Sequence, residues 1–355
     1  MSVPRISVAL SVHNDEWFLP AAIESILGQN FEDFEFLIVD DGSTDRSGEI
    51  IDDYARRDPR IRAIQQENRG LIASLNRLID EARAPLIARM DGDDISLPDR
   101  FRRQVEFFDL NPDHGVLGTG AHDIDEAGTL RPHTDSRPLD HAAIVAALQH
   151  GSPICHPSVM MRRDAVRAVG GYRPAYRHCE DYDLWLRLSA HTRLGNLPER
   201  LIQYRRSDSQ VSERHLVEQH KGAVAALLSQ RERLAGRPDP TDGLAALPPI
   251  DAFDTLFKRA GVAREVRARL THSIVYSPDA MRGDGFDILI AHLRDGGGHD
   301  GLWRTVARLL LFGEPTRAGH LAAALLRYRA RAGDGLQGWP GLPAARVHPA
   351  DPLAK

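Results

Sequence analysis

Short apolar runs alternate with helix-like segments through the first 90 residues. Each run has the length of a strand buried in a sheet and ends at turn-forming residues. The predicted strands are residues 5–12, 34–39, 61–64 and 85–90. The predicted helices between them are residues 17–27, a segment from the N-cap candidates 43–45 to about residue 54, and a segment from 68–70 to about residue 82. This order predicts an α/β fold with a mostly parallel sheet, right-handed crossovers and flanking helices.

The pattern changes after Pro98. The later predictions are a helix at 99–108, strands at 115–118, 158–161 and 201–204, loops or a hairpin at 122–138, and an amphipathic helix at 181–190. From residue 215 onward the spacing is helical, which predicts a C-terminal helical appendage. Residues 236–249 are rich in Pro, Gly and Asp and form the best candidate for a linker. Residues 333–355 are predicted to be an irregular tail.

Composition narrows the class of protein. With 355 residues, 42% hydrophobic and 27% charged, the chain resembles a globular protein, and its net charge of -5 gives no argument for nucleic-acid binding. No apolar run approaches the ~18–20 residues of a membrane span, and the polar N-terminal region has no room for a signal peptide. Cys155 and Cys179 form no CxxC pair and are expected to be reduced thiols. A cytoplasmic location is expected.

Two acidic clusters follow predicted strands. Asp40 and Asp41 follow the strand at 34–39, and Asp91, Asp93 and Asp94 follow the strand at 85–90. Carboxyl ends of parallel strands are where open α/β sheets bind ligands, and Gly92 lets a ligand approach the backbone closely. Carboxylates are ligands for Mg²⁺ or Mn²⁺, whose usual anionic partner is a diphosphate. A plain surface turn is the alternative, but three adjacent carboxylates repel one another unless a cation compensates them.

Other acidic residues have two interpretations each. Asp41 could accept the N3–H of a uracil or thymine ring, or one of Asp40 and Asp41 could cap the next helix in competition with Ser43. At the predicted start of the helix that bears Trp185, a carboxylate would stay ionised and could serve as a general base. From the residues alone, Glu180, Asp181 and Asp183 fit a base or a first-turn acid equally well.

Eight motifs occur in a characteristic order. They are residues 7–14, 25–29, 39–45, 68–70, 91–94 with Pro98, 156–158, 170–172 and 180–185. Through these motifs, residues 5–214 resemble family 2 glycosyltransferases, nucleotide-sugar-dependent enzymes with a GT-A-type fold. The resemblance implies a domain at 1–214, with a nucleotide-binding half at 1–98 and an acceptor half at 99–214. It stops before the C-terminal helices, which the helical spacing places at 215–332.

The resemblance implies inverting transfer from a nucleotide-diphosphate sugar, UDP favoured, to a hydroxyl of a glycan or lipid-linked glycan. Asp181 would be the base, Asp93 would bind Mn²⁺ or Mg²⁺ directly, and Asp91 would face the ribose or bind the metal through water. The expected nucleotide and donor contacts are Ser11, His13, Asn14, Asp41, Asn68, Arg69, Gly70, Asp91 and Gly92. The expected acceptor or sugar contacts are His156, Glu180 and Trp185.

Several positions depart from the family or keep a second interpretation. The family's Pro-x-aromatic-Asn reads Ser11-Val12-His13-Asn14 here, and its Tyr-Arg-x-His reads Tyr204-Arg205-Arg206-Ser207. Arg205, Arg206 or His215 could replace the missing histidine. The pair Cys155-His156 could suggest zinc or a thiol nucleophile, but zinc wants four regularly spaced ligands. His156 could equally be a core histidine, and Arg69 could be solvated instead of reaching the diphosphate.

The C-terminal helices allow a further contact. The arginines at 304, 308, 317, 327, 329 and 331 interleave with apolar residues, so residues 300–331 could meet anionic lipid or could simply pack as an appendage. Two rival functions remain. A sugar nucleotidyltransferase would need a Gly-rich basic loop after the first strand, which residues 11–16 do not offer. A non-catalytic sugar-nucleotide-binding or scaffold protein would differ in not hydrolysing the donor.

Overall fold

The computed structural model describes residues 3–132, 136–206 and 215–328. These residues fall into two compact units, bounded by Met1–Pro174 with Glu180–Asp208 and by Ala175–Cys179 with Ser209–Lys355. The boundary predicted at 214/215 borders residues outside the described ranges. The tail predicted at 333–355, together with Arg329 and Arg331, also lies outside them.

The first unit is built on one eight-stranded sheet, counted over the described residues. Its strands are β1 (Ile6–Val12), β2 (Phe34–Asp41), β3 (Ile61–Gln66), β4 (Leu86–Met90), β5 (Ile95–Ser96), β6 (His114–Ile124), β7 (Met160–Arg162) and β8 (Arg193–Arg205), in the order β3-β2-β1-β4-β7-β6-β8-β5. Strands β1 to β4 run parallel, as do β6 and β8, whereas β7 is antiparallel to both neighbours and β5 is antiparallel to β8. The predicted α/β class with a mostly parallel sheet is confirmed.

Seven helices accompany the sheet within the described residues. They are α1 (Leu19–Leu27), α2 (Ser47–Arg57), α3 (Leu71–Glu81), α4 (Arg100–Leu110), α5 (His141–Ala147), α6 (Arg163–Ala168) and α7 (Glu180–Leu188). Helices α5 and α6 and strand β5 were not predicted. Strands β6 and β8 are much longer than the predicted segments because they pair with each other along almost their whole length. Part of the region predicted as loops therefore belongs to β6, and a single bridge joins Ile124 to Leu130.

The core of the first unit fixes the ends of the central strands. Apolar side chains of β1 and β2 pack with the inner face of α1, where Ile23 and Ile26 are fully buried, and with Phe101 of α4. Because β2, β1 and β4 are adjacent and parallel, their carboxyl ends share one edge of the sheet. The loops that follow Val12, Asp41 and Met90 therefore lie together at that edge.

The second unit is helical in the part that the structure describes. Its helices are α8 (Leu216–Leu234), α9 (Phe253–Leu256), α10 (Val262–Ile274), α11 (Pro278–Arg282), α12 (Asp284–Arg294), α13 (Leu302–Leu311) and α14 (Pro315–Arg327). Helices α11 to α14 share an apolar core. Residues 236–249, predicted as a linker, are not the boundary between the units, and Thr241 within them is buried and hydrogen-bonded to Tyr176. Among the described residues, no helix combines the length and apolar character that crossing a bilayer requires.

Candidate active site

Hydrogen bonds lock the loop after β1 to the loop after β2. The Asn14 N–H donates to Ser43 Oγ at 3.0 Å, and the Thr44 N–H donates to Asn14 Oδ1 at 2.8 Å. The Asp15 N–H donates to Ser47 Oγ at 2.9 Å. Asn14 has a φ of 59°, a left-handed conformation that asparagine adopts more readily than most residues. The two loops therefore form one rigid edge beside the sheet.

Asp41 organises the next loop along this edge. Its Oδ1 accepts hydrogen bonds from the Arg69 N–H at 2.8 Å and from Gln66 Nε2 at 2.6 Å, and its Oδ2 accepts from the Gly70 N–H at 2.8 Å. Burial acts to raise the pKa of Asp41, but these hydrogen bonds outweigh it and hold the pKa below its usual value. Three of about four acceptor positions on this carboxylate are thus occupied by the protein. Asp40 instead accepts from the Ser43 N–H at 3.0 Å.

The predicted nucleotide contacts gather around His13. His13 Nδ1 lies 3.0 Å from the carbonyl oxygen of Asp41, and Asn68 Nδ2 lies 3.2 Å from His13 Nε2. Both side chains are exposed, as is that of Arg69, while Gly70 begins α3 with a φ of 82°. Ser11 lies on β1, paired in register with Val39. An exposed surface with an imidazole face and amide donors is suited to a planar ring.

The acidic cluster after β4 brings its carboxylates close together. Asp91, Asp93 and Asp94 each have an oxygen within 4.8 Å of the others. Burial and the charge of Asp91 raise the pKa of Asp93 to about 6, and burial with the charges of Asp93 and Asp91 raises the pKa of Asp94. Asp94 Oδ2 is buried without a hydrogen-bond partner. These residues fit a divalent cation, because its charge would relieve the repulsion that raises both pKa values.

Asp15 is a fourth carboxylate at this cluster that the sequence analysis missed. A Cβ on Gly92 would lie 2.7 Å from Asp15 Oδ2, so the absence of a side chain at residue 92 makes room for Asp15. Burial and the charges of Asp93 and Asp91 raise the pKa of Asp15 to about 7. The signal was its position in the loop after β1, at the edge shared with the ends of β2 and β4.

Arg89 is a buried cation within this acidic region that was not predicted from the sequence. It lies on β4, is 4% exposed, and forms an ion pair with Asp91. Burial acts to lower its pKa, but the charges of Asp91, then Tyr172 and Asp94, outweigh that effect and raise it. Its positive charge also acts to lower the pKa values of Asp93, Glu180 and Asp181. One buried arginine therefore interacts electrostatically with carboxylates in the loop after β4 and in α7.

The first turn of α7 supplies the candidate base. Asp181 Oδ1 accepts a hydrogen bond from the Tyr182 N–H at 2.7 Å, and burial raises the pKa of Asp181. Burial and the charge of Asp181 raise the pKa of Glu180 to about 7. Asp183 is fully buried, and its Oδ2 accepts from Arg173 Nε and Arg187 Nε, each at 2.9 Å. Asp183 is therefore committed to structural ion pairs, which leaves Asp181 and Glu180 for chemistry.

His156 lies in an aromatic pocket near this turn. Its Nε2 is 2.8 Å from the Tyr172 hydroxyl oxygen, and its ring meets the fully buried Trp185 edge-on with 6.0 Å between ring centroids. Burial lowers the pKa of His156, which keeps the imidazole neutral. Burial raises the pKa of Cys155 to about 12, whereas a reactive thiol needs a lowered pKa. The neighbouring thiol is therefore unsuited to be a nucleophile.

Comparison with known proteins gives a consistent result. Residues 7–170 match the family model described as Glycosyl transferase family 2. EpsE of Bacillus subtilis (strain 168), a glycosyltransferase by name, is 39% identical over 209 residues, which cover 58% of this chain and 74% of EpsE. The chain belongs to glycosyltransferase family 2.

Two further comparisons concern this glycosyltransferase. The O-antigen biosynthesis glycosyltransferase WbnJ of Escherichia coli is 32% identical over 204 residues, which cover 56% of this chain and 79% of WbnJ. The crystal structure of S. aureus TarS 1–349 in complex with UDP has a TM-score of 0.54 at 15% identity, covering 90% of this chain and 87% of that one. At that identity the likeness concerns the fold alone. It confirms the expected GT-A-type architecture.

Arg205 holds the acidic loop after β4 in place. The Arg205 N–H donates to Asp94 Oδ1 at 2.8 Å, and Arg205 Nε donates to the Asp93 carbonyl oxygen at 2.7 Å. The guanidinium also stacks on the Phe18 ring, 4.4 Å from its centroid. Arg206 pairs with Asp123. Arg205 was one possible replacement for the family's histidine, but these contacts already give it a structural role. Another, His215, lies in the second unit beside His178.

Proposed function

We propose that this glycosyltransferase is an inverting enzyme that moves a sugar from a nucleotide-diphosphate donor, UDP favoured, to a hydroxyl of a glycan or lipid-linked glycan. One observation carries the proposal: Arg89 acts electrostatically both on the acidic cluster after β4 and on the Glu180–Asp181 turn. Single-displacement transfer requires a base close to the donor site, and the interaction of one buried charge with both supports that closeness. Residues 1–98 would form the nucleotide-binding half and residues 99–214 the acceptor half.

The donor would bind along the edge of the sheet. His13 and Asn68 would contact the base, with Asp41 holding residues 69–70 in position for it. Asp93 and Asp91 would bind Mn²⁺ or Mg²⁺, which would supply positive charge for the departing diphosphate. S. aureus TarS 1–349, which shares the fold, has been solved with UDP and with UDP-GlcNAc. These structures support the choice of UDP.

Transfer would need only one base. Asp181 would take the proton from the acceptor hydroxyl while that oxygen forms a bond to the anomeric carbon and the bond to the diphosphate breaks. Attack from the face opposite the leaving group inverts the anomeric centre. Glu180, with a pKa of about 7, would be partly protonated at neutral pH and could donate a hydrogen bond to the acceptor or sugar. His156 and Trp185 would line the acceptor side.

The acceptor class is proposed from the relatives. WbnJ is named for O-antigen biosynthesis, and AmsE of Erwinia amylovora, 31% identical over 59% of this chain and 79% of AmsE, is named for amylovoran biosynthesis. Both names refer to bacterial polysaccharides. We therefore propose a growing polysaccharide, free or lipid-linked, as the acceptor.

A thermal-shift panel with UDP-, GDP- and dTDP-sugars, each with and without Mn²⁺, tests the proposal. We expect a rise in Tm with one nucleotide class that requires Mn²⁺, followed by slow donor hydrolysis on prolonged incubation. Binding without hydrolysis, and without transfer to any glycan tested, would favour a non-catalytic sugar-nucleotide-binding protein. No response to any donor would contradict the proposal.

Asp93→Asn is expected to remove metal-dependent donor binding while leaving the fold intact. The substitution removes a carboxylate from the proposed metal site and relieves repulsion with Asp91, so it should not destabilise the protein. Calorimetric titration of UDP in Mn²⁺ measures the effect. Asp164→Asn is a matched control because the Asp164 side chain is 91% exposed. Unchanged UDP affinity in Asp93→Asn would show that Asp93 does not bind the metal.

Contact with anionic lipid through residues 300–331 remains a proposal. Helix α13 exposes Trp303, Leu310 and Leu311, but Arg308 is buried over the Tyr276 ring. Fewer arginines are therefore free to meet lipid than the sequence alone suggested. If the proposal holds, the protein should co-sediment with anionic vesicles, since each basic residue near such a surface contributes about 1 kcal/mol. Salt and the double substitution Trp303→Ser with Leu311→Ser should both weaken the interaction, and no sedimentation at low salt would refute it.

A further inference from the structure

The second unit holds a cluster of two histidines and a glutamate, far from the acidic loop in sequence. The rings of His178 and His215 are stacked, with 4.1 Å between centroids and 13° between planes. His178 Nε2 lies 3.6 Å from Glu218 Oε2. One nitrogen or oxygen from each residue lies within 4.8 Å of the other two. Three side chains with metal-ligand chemistry thus lie next to one another.

Two separate segments bring these side chains together. His215 immediately precedes α8 and Glu218 lies in its first turn, three residues on, so both project from the same side of the helix. His178 comes from the segment Ala175–Cys179 of the same unit. Gln219 Nε2 donates to the His178 carbonyl oxygen at 3.0 Å and so fixes that segment against α8.

His178 has features that its packing alone does not explain. Its φ is 66°, which is uncommon for a residue other than glycine. Its Nε2 is buried but has no hydrogen-bond partner, since 3.6 Å to Glu218 is too long for one. A buried polar atom without a partner costs free energy unless something pairs with it.

We propose that His178, His215 and Glu218 bind a divalent transition metal of the Zn²⁺ type. Two imidazoles and one carboxylate are ligands that suit such metals, and this set leaves a fourth position for water. The site differs in chemistry from the all-oxygen cluster after β4, which suits Mg²⁺ or Mn²⁺. An imidazole nitrogen binds a metal in the plane of its ring, so one of the two stacked rings must turn before both nitrogens can reach one metal. The exposed His215 is the ring that can turn. The ligand atoms must also approach one another somewhat, because each lies about 2.0–2.2 Å from a tetrahedral metal.

The surroundings favour a site that metal can reach. His215 and Glu218 line a groove of ≈ 830 Å³ within the second unit. The groove gives solvent access to Glu218, whose side chain is 44% exposed. A metal here would join segment 175–179 to the start of α8. The inference does not depend on the proposed transfer reaction.

Metal binding to the full-length chain tests the inference. Protein stripped with a chelator is dialysed against Zn²⁺ and assayed for bound metal, and Co²⁺ is used in parallel because a tetrahedral site gives it visible absorption. We expect wild type and Asp93→Asn both to bind Zn²⁺ at this site and to gain thermal stability from it. His215→Ala and Glu218→Gln should each bind it at least ~10-fold more weakly and lose the stabilisation.

The variants are chosen to keep the protein folded. His178 is mostly buried and has a positive φ, so replacing it endangers the fold, whereas His215 is exposed and the Glu218 side chain is 44% exposed. His191→Ala, an exposed histidine outside the cluster, is the control and should behave as wild type. If wild type binds no Zn²⁺ or Co²⁺, or if His215→Ala and Glu218→Gln bind both metals as wild type does, the inference is wrong.

Discussion

Asp181→Asn is expected to lower the rate of sugar transfer by ~10²–10⁴-fold, the usual contribution of a general base, without weakening donor binding. The amide keeps the shape of the side chain and can still accept a hydrogen bond from the Tyr182 N–H, so the start of α7 should be unchanged. It cannot take the proton of the acceptor hydroxyl. Steady-state kinetics with a glycan acceptor measure the loss, and calorimetric titration with the nucleotide measures binding.

Two comparisons sharpen this prediction. Asp164→Asn removes an exposed carboxylate of the same unit and should leave both measurements unchanged. In wild type, kcat should fall as pH drops through the raised pKa of Asp181, because the base must be deprotonated to act. Turnover near the wild-type rate in Asp181→Asn would indicate that Glu180, and not Asp181, is the base. Asp183 is a poor substitute because Arg173 and Arg187 already bind its carboxylate.

The central strands could be predicted from the sequence, whereas β6 and β8 could not. Strands β1, β2 and β4 are buried on both faces, so they appear as apolar runs that a local pattern can detect. Strand β6 contains three glycines. A Cβ on Gly115 would lie 2.5 Å from Thr192, and one on Gly118 would lie 2.3 Å from Asn196. Those glycines are required by side chains at the start of β8 and just before it, and local patterns carry no information about such partners.

The same distinction applies to the site. The meeting of the segments after β1, β2 and β4 follows from parallel neighbouring strands, so it could be expected that Asp41 and Asp91 lie at the same edge of the sheet. Arg89 and Asp15 were missed because a charged residue in or beside a strand gives no sign of what it will face. The role of Asp183 depends on Arg173 and Arg187, which reach it only once α7 is packed. Sequence spacing located the acidic residues but not their counter-charges.

Arg89→Met is expected to destabilise the first unit by about 3–5 kcal/mol near pH 8, the usual cost of removing one partner of a buried ion pair. Methionine is apolar and flexible enough to fill part of the space, but it leaves Asp91, Glu180 and Asp181 without their shared cation. Urea unfolding of both proteins at several pH values measures the difference in free energy of unfolding.

The loss of stability in Arg89→Met should be larger at high pH than at low pH. The pKa values of Asp93 and Glu180 are about 6 and about 7 in the folded protein, above their usual values, and removing Arg89 would raise them further. The folded state then binds more protons than the unfolded state between about pH 4 and those pKa values, so its stability falls as pH rises through that window. The variant should therefore lie closer to wild type near pH 5 than near pH 8.

Mn²⁺ and a second arginine variant separate charge from packing. If Arg89 acts by balancing the carboxylates, Mn²⁺ should restore part of the stability of Arg89→Met at pH 8, because it brings positive charge to the same oxygens. Arg162 lies on the neighbouring β7 and donates to the carbonyl oxygens of His114 and Phe108, not to carboxylates. Arg162→Met should therefore lose stability independently of pH and Mn²⁺. If both variants respond to pH and Mn²⁺ in the same way, Arg89 contributes packing rather than charge balance. That result would also contradict the proposed electrostatic link between the donor site and the base.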